Sequence, residues 1–133
     1  MARSPRPLAR SAHAVAVLAR FPVRWGHVLV VLSEHHESLE ATPLDAWLDA
    51  ASLAHAAARA LERVLAPSRS YIASLGTSEP DLPMTFPHVH LHVIPVEERG
   101  ARPADVFTWK DGVLEASAAE WTALEEALLA AWP

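Results

Sequence analysis

The chain has 133 residues, about half of them hydrophobic, and it carries a formal net charge of −5, eight histidines and no cysteine. This length predicts one domain, the negative charge argues against binding of long nucleic acid, and the lack of cysteine excludes disulfides, a thiolate nucleophile and a cysteine-ligated zinc site. No apolar run approaches the ~20 residues of a membrane span, and the start of the chain lacks a secretory hydrophobic region. We therefore expect a cytoplasmic protein that does not act at a membrane.

The first eleven residues combine proline, serine and arginine, which is a composition typical of a loosely attached end. No later stretch has the composition of a linker, and no internal repeat is found. The sequence therefore predicts a flexible N-terminus over residues 1–11 and a single domain over residues 12–133.

The first part of the domain alternates strand and helix signals. Residues 13–20 and 27–33 are rich in valine and leucine and are separated by a turn, which predicts an antiparallel hairpin. A stretch with helical spacing of apolar residues follows, with Thr42 placed as its N-cap and Pro67 as its end. We expect this long helix to cover one face of a sheet.

The second part contains further short elements. Residues 70–75 read as a strand, and the Asp-Gly pair between residues 106–109 and 113–115 is a hairpin signal. Ser117 and Glu120 have the spacing of a capping box that opens a C-terminal helix. Together these elements predict an α+β fold, an antiparallel sheet of about five strands with one long covering helix and a C-terminal helix.

Three histidines alternate with aliphatic residues between Pro87 and Pro95, at positions His88, His90 and His92. Polar and apolar residues that alternate strictly have the period of a strand, so the three rings are expected on one face while the aliphatic residues enter the core. Neighbouring rings of such a row stand about 6.6 Å apart. Such a strand would hold the three imidazoles rigidly at fixed spacing, as a reactive site requires.

Three interpretations of this row are open from the residues alone. The rings could be solvent-facing polar side chains on a half-buried strand, although three histidines are an unusual way to fill such a face. Two or three neutral imidazoles could instead hold zinc and leave a position for water. In the third interpretation the central His90 attacks an activated phosphorus, and the flanking rings, backbone N–H groups and the Thr85 hydroxyl stabilise the charge that develops.

The segment His88-Val-His-Leu-His-Val-Ile resembles the signature of the histidine triad (HIT) superfamily, nucleotide hydrolases and transferases whose motif is three histidines alternating with hydrophobic residues. The upstream segment Gly26-His27-Val-Leu-Val-Val resembles the family's preceding strand, which carries a fourth histidine. The resemblance covers roughly residues 13–95. It implies the HIT-like fold, and it also implies a homodimer.

The resemblance also implies roles for individual residues. His90 is the expected nucleophile that becomes nucleotidylated, and His88 and His92 are expected to support phosphate binding and proton transfer. His27 is expected to belong to the same cluster. Thr85 matches a serine or threonine position that contacts the phosphate or the leaving group.

We therefore hypothesise an enzyme that attacks the α-phosphate of a nucleoside phosphoramidate, a dinucleoside polyphosphate or a similar substrate and needs no cofactor. Arg24, in the turn before His27, is a further candidate for phosphate binding. Ala19 and Met84 stand where family members commonly have an acidic residue and a glutamine, which motivates one alternative, a nucleotide- or phosphate-binding module with little turnover. A histidine-ligated zinc hydrolase is another. The remaining histidines receive no role: His13, His35, His36 and His55.

Overall fold

The structure, a computed structural model, describes residues 6–75, 88–108, 110 and 112–133. The elements within these residues are β1 (Pro7–Arg10), β2 (Ala14–Leu18), β3 (Val28–Leu32), α1 (Leu44–Leu65), β4 (Arg69–Ala73), β5 (His90–Val96), α2 (Pro103–Val106) and α3 (Ala118–Ala131). The strands form one antiparallel sheet in the order β1-β2-β3-β5-β4. The predicted α+β fold is confirmed.

The predicted hairpin of β2 and β3 is present, with Ala14 opposite Leu32 and Leu18 opposite Val28. Its turn ends at Gly26, whose φ of +93° is unfavourable for any residue with a Cβ. A Cβ at this position would also lie 2.6 Å from Cδ1 of Leu65. The turn can therefore pack tightly against α1 only with glycine, and this packing fixes where β3 begins.

Helix α1 covers one face of the sheet with small residues. Alternate residues of β3 and β5 point towards it, including Val30 and Val93, and these are buried together with Ala57 and Leu61 of the helix. Alanine side chains allow the helix to approach the strands closely, and the closed core excludes water from this face. No helix in the described part of the chain is both long enough and apolar enough to cross a membrane.

The structure differs from the sequence prediction at two places, the N-terminal residues and the start of α1. Residues 7–10 form β1 and pair with β2, although the sequence predicts a flexible segment there. The reason is tertiary, since Leu8 is buried in the main core. The N-cap of α1 is Pro43 and not Thr42, whose hydroxyl donates to the carbonyl of Ser38 instead.

The predicted hairpin around the Asp-Gly pair is wrong for the residues of that segment that are described. Val106 ends the short helix α2 and is fully buried beside Ile94 and Val96, which excludes an exposed strand there. Residues 112–117 have no regular structure, and the Leu114 N–H donates to the carbonyl of Pro22. Residues 109 and 111 lie outside the described part.

The predicted start of the C-terminal helix is confirmed. The Ser117 hydroxyl accepts from the N–H of Glu120, and the Glu120 carboxylate accepts from the N–H of Ser117. The helix then buries Trp121, Leu124 and Leu128 in the main core.

Candidate active site

The site lies on the sheet face opposite α1. In the β3–β5 ladder His92 is opposite Leu29 and His90 is opposite Val31, while Leu91 and Val93 between them enter the core under α1. His27 directly precedes β3 and has the same parity as Leu29 and Val31. The side-chain alternation of two neighbouring strands therefore brings three histidines to one face.

These three side chains are not a solvent-facing polar row. His27 is 1% exposed, His90 3% and His92 4%. A buried imidazole must satisfy its two nitrogen atoms by hydrogen bonds or lose the energy of hydration. The contacts of each ring therefore indicate where its proton resides.

His27 and His92 form a direct hydrogen bond. The N–H of Val23 donates to Nδ1 of His27 at 3.2 Å, so this nitrogen carries a lone pair and the proton of the neutral ring is on Nε2. Nε2 of His27 lies 2.9 Å from Nδ1 of His92 and donates to it. This assignment, which follows from the hydrogen-bond network, leaves the proton of neutral His92 on Nε2.

His90 has the opposite arrangement to that of His27. Its Nδ1 lies 2.7 Å from the carbonyl oxygen of His88, which can only accept, so the proton is on Nδ1. Nε2 of His90 therefore carries a lone pair. Its ring lies edge-on to that of His92, with 4.9 Å between centroids. A ring with an unprotonated nitrogen and a ring with an N–H donor are thus neighbours on this face.

Burial keeps the three rings neutral. It lowers the pKa of His27 to about 3, and repulsion from positive charge on His92 and His90 adds to this effect. Burial also lowers the pKa of His92 to about 4, with a further contribution from His90. The pKa of His90 is lowered by burial as well, although its hydrogen bond to His88 acts in the opposite direction. At neutral pH the His90 ring is therefore neutral, with Nε2 unprotonated.

His88 joins the site through its backbone. Its carbonyl holds the His90 ring, while its own half-buried ring turns towards the end of β3, where Nε2 donates to the carbonyl of Leu32 at 2.6 Å. Nδ1 of His88 faces Nδ1 of His35 at 3.3 Å. From the sequence His35 receives no role, because its position at a strand end among glutamates predicts a solvated side chain. The one usable signal is its position after β3, the strand that pairs with the histidine strand.

The predicted phosphate ligands outside the histidines are not tested. Arg24 donates to the carbonyl of Val23 at 2.9 Å and pairs with the Glu98 carboxylate at 3.0 Å. Its role in phosphate binding stays a prediction. Thr85 and Met84 lie outside the described residues.

The possible zinc site can be compared with the geometry. In the described part of the chain, no group of three or more histidine, aspartate or glutamate side chains is arranged to hold a metal ion. Two of the nitrogens that could face a metal, Nε2 of His27 and Nδ1 of His92, face each other in a hydrogen bond. The described residues therefore fit a hydrogen-bonded cluster better than a shared metal site.

Comparison with known proteins gives one family match and several similar folds. Residues 7–99 match the family model of the HIT domain. No curated protein matches the sequence.

Similar solved structures include a hypothetical histidine triad nucleotide-binding protein from Sulfolobus tokodaii, with a TM-score of 0.75 and 19% identity over 97% of this chain and 84% of that one. A zinc-bound histidine triad family protein from Mycobacterium smegmatis has a TM-score of 0.71 and 24% identity over 96% and 86%. Plasmodium falciparum diadenosine triphosphate hydrolase has a TM-score of 0.63 and 15% identity over 92% and 70%. At these identities the likeness shows the fold.

Proposed function

The chain belongs to the HIT domain family, whose model spans residues 7–99, and from this premise we propose that it is a nucleotide hydrolase or nucleotidyl transferase with His90 as its nucleophile. One observation carries the proposal. His90 holds its proton on Nδ1 through the His88 carbonyl, so that Nε2 is an unprotonated nitrogen in a neutral, buried ring. This is the state that attack on phosphorus needs.

The reaction proceeds in two steps. In the first, the bond between Nε2 of His90 and the α-phosphorus forms, the bond from phosphorus to the leaving group breaks, and the leaving group departs with the bonding electrons. In the second, water or another hydroxyl attacks the phosphorus, the N–P bond breaks, its electron pair returns to His90, and the proton of the attacking hydroxyl is released to solvent. Together the two steps replace one difficult displacement with two easier ones.

His92 and His27 support both steps. The N–H on Nε2 of His92 is a donor for a phosphoryl oxygen, and it keeps this tautomer because His27 occupies Nδ1. His27 is in turn held by the Val23 N–H. The chain from Val23 through His27 to His92 therefore presents a donor beside the nucleophile without any rearrangement during the reaction.

The proposed substrates are nucleotides joined through the α-phosphate to a second group. Two proteins of similar fold support this class, one a hypothetical nucleotide-binding protein and one a diadenosine triphosphate hydrolase. We therefore propose dinucleoside polyphosphates and nucleoside phosphoramidates as the first substrates to test. A homodimer stays an expectation from the family resemblance.

The test is formation of a covalent adduct. Wild type, His90→Ala and the control His55→Ala, an exposed residue on α1, are incubated with both substrate types labelled at the α-phosphate, and the protein is examined for an acid-labile label. We expect the adduct in wild type and in the control, and a loss of turnover on the order of 10³-fold or more in His90→Ala.

Other outcomes separate the alternatives. Equal turnover by His90→Ala would refute the covalent mechanism. A nucleotide that raises the melting temperature without product formation would indicate a binding module. Stoichiometric metal in the purified protein, whose removal abolishes turnover, would indicate a zinc hydrolase.

A further inference from the structure

His35 is an exposed histidine in the segment after β3, and it contacts His88, the first histidine of the row. Its Nδ1 lies 3.3 Å from Nδ1 of His88, and the two rings meet edge-on with centroids 5.2 Å apart. The other side of the His35 ring faces a carboxylate, with Nε2 at 3.7 Å from Oε1 of Glu37. The two histidines therefore form a pair between a carboxylate and the Leu32 carbonyl.

The hydrogen-bond partners indicate which nitrogens of this pair carry protons. Nε2 of His88 faces the Leu32 carbonyl, which only accepts, so it carries a proton and leaves Nδ1 of His88 as an acceptor. The hydrogen bond between the two Nδ1 atoms then places the proton of His35 on its Nδ1. The Glu37 carboxylate, at 3.7 Å, is too far from Nε2 of His35 to be a hydrogen-bond partner. His35 is therefore the donor to the His88 ring.

This pair lies next to the group that orients the nucleophile. The carbonyl of His88 accepts the Nδ1 proton of His90 at 2.7 Å. The end of β3 and the segment after it hold this part of the chain at three points. The Leu32 carbonyl and His35 contact the His88 ring, and the carbonyl of His36 accepts from the N–H of Val89 at 2.8 Å. The direction of the His88 carbonyl, and through it the His90 ring, depends on these contacts.

We propose that His35 is a positioning residue for the reaction, acting as the hydrogen-bond donor that fixes the His88 ring. This inference rests on the proposed function, since it concerns the same nucleophile. His35 does not touch the reacting atoms. It holds the residue whose carbonyl keeps the His90 proton on Nδ1, and so it favours the unprotonated Nε2.

The kinetic test compares His35→Ala and His35→Asn with wild type and with the control His55→Ala. Asparagine can place an amide N–H close to the position of Nδ1, whereas alanine removes the donor. We expect His35→Ala to slow adduct formation about 5- to 10-fold, the effect of one lost hydrogen bond, with the KM changed less than about twofold because no substrate contact is lost. His35→Asn should recover most of the rate. An unchanged rate in His35→Ala would overturn the proposal, and so would a loss that asparagine does not recover, since that would indicate a role for the bulk of the ring.

A second measurement needs no substrate. Nitrogen chemical shifts of the histidine rings in the resting protein report which nitrogens are protonated. We expect a proton on Nε2 of His88 and one on Nδ1 of His35, and we expect His35→Ala to shift the Nδ1 signals of both His88 and His90. A His88 ring insensitive to His35→Ala would overturn the proposal. If no nucleotide forms an adduct in wild type while the shifts follow this expectation, the proposed function fails and the imidazole pair stands.

Discussion

The two faces of the sheet use the same strands and stabilise them differently. Towards α1, β3 and β5 present Val30 and Val93 to an apolar core. On the opposite face the same strands bury His90 and His92, together with His27 at the start of β3. On one face the removal of apolar surface from water stabilises the fold, while on the other the loss of hydration of three imidazoles destabilises it.

This difference explains why the histidine face is ordered. Apolar packing is not directional, so the α1 face needs only complementary shapes. Each buried imidazole instead requires partners for its nitrogens, and those partners fix both the ring and its tautomer, as the Val23 N–H does for His27 and the His88 carbonyl does for His90. The ring orientation that the proposed reaction needs follows from burial, and the apolar face supplies the stability that this burial costs.

The largest expected effect on stability is therefore on the apolar face. Leu128 of α3 is fully buried in the main core, and Leu128→Ala should lower the free energy of unfolding by about 2–5 kcal/mol through lost burial and a cavity. Urea denaturation measures this, with Leu44→Ala as control because Leu44 is 70% exposed. At a temperature well below melting, adduct formation should stay near the wild-type rate. A marked loss of rate in a folded Leu128→Ala would show that the two faces are not separable in this way.

Much of this division could be predicted from the sequence, because it depends on local alternation. The row of His88, His90 and His92 predicts a strand with one polar and one apolar side, and the upstream hairpin places His27 on a neighbouring strand. The capping box at Ser117 was predictable for the same reason, since its two partners are three residues apart.

The errors concern contacts between distant parts of the chain. β1 forms because Leu8 enters a core that the local composition does not reveal, and Val106 ends a helical turn because Ile94 and Val96 bury it. The contact of His35 with His88 spans 53 positions. Neither local propensity nor alternation contains such information, so the exposed appearance of His35 in the sequence concealed its contact with the site.

A second effect, of similar size, should appear on the histidine face when the pH falls. Burial lowers the pKa of His27 to about 3 and of His92 to about 4, whereas these side chains titrate near 6.5 in the unfolded chain. Below about 6.5 the unfolded chain binds protons that the folded protein does not, so stability falls with pH until it levels off near the folded pKa values. Between pH 7 and pH 5 we expect a loss of about 2 kcal/mol for each of these two rings, roughly 4 kcal/mol together, measured by urea denaturation.

The matched variant for this pH effect is His27→Gln, which removes the group with the lowest pKa. It should reduce the dependence on pH in this range, and His55→Ala should retain it. A wild-type protein equally stable at both pH values would contradict the account of the histidine face as a set of neutral buried rings.

The smallest effect should come from a polar contact on the apolar face, and it occupies a different pH range. The Asp49 carboxylate of α1 accepts from the Ser11 hydroxyl and from the N–H of His13, which ties the turn between β1 and β2 to the helix. The hydrogen bond from Ser11 is the main cause that lowers the pKa of Asp49. Asp49→Ala should cost about 1 kcal/mol at neutral pH, and Asp49→Asn should cost less because it keeps an acceptor.

Because the folded pKa lies below the unfolded value near 3.9, the contribution of Asp49 is complete above that pH and is lost only as the pH falls through the folded value. The difference in stability between wild type and Asp49→Ala should therefore be the same at pH 7 and pH 5, where the histidine face has already lost much of its own contribution. A difference that shrinks between these two pH values would mean that the two faces are coupled through the turn.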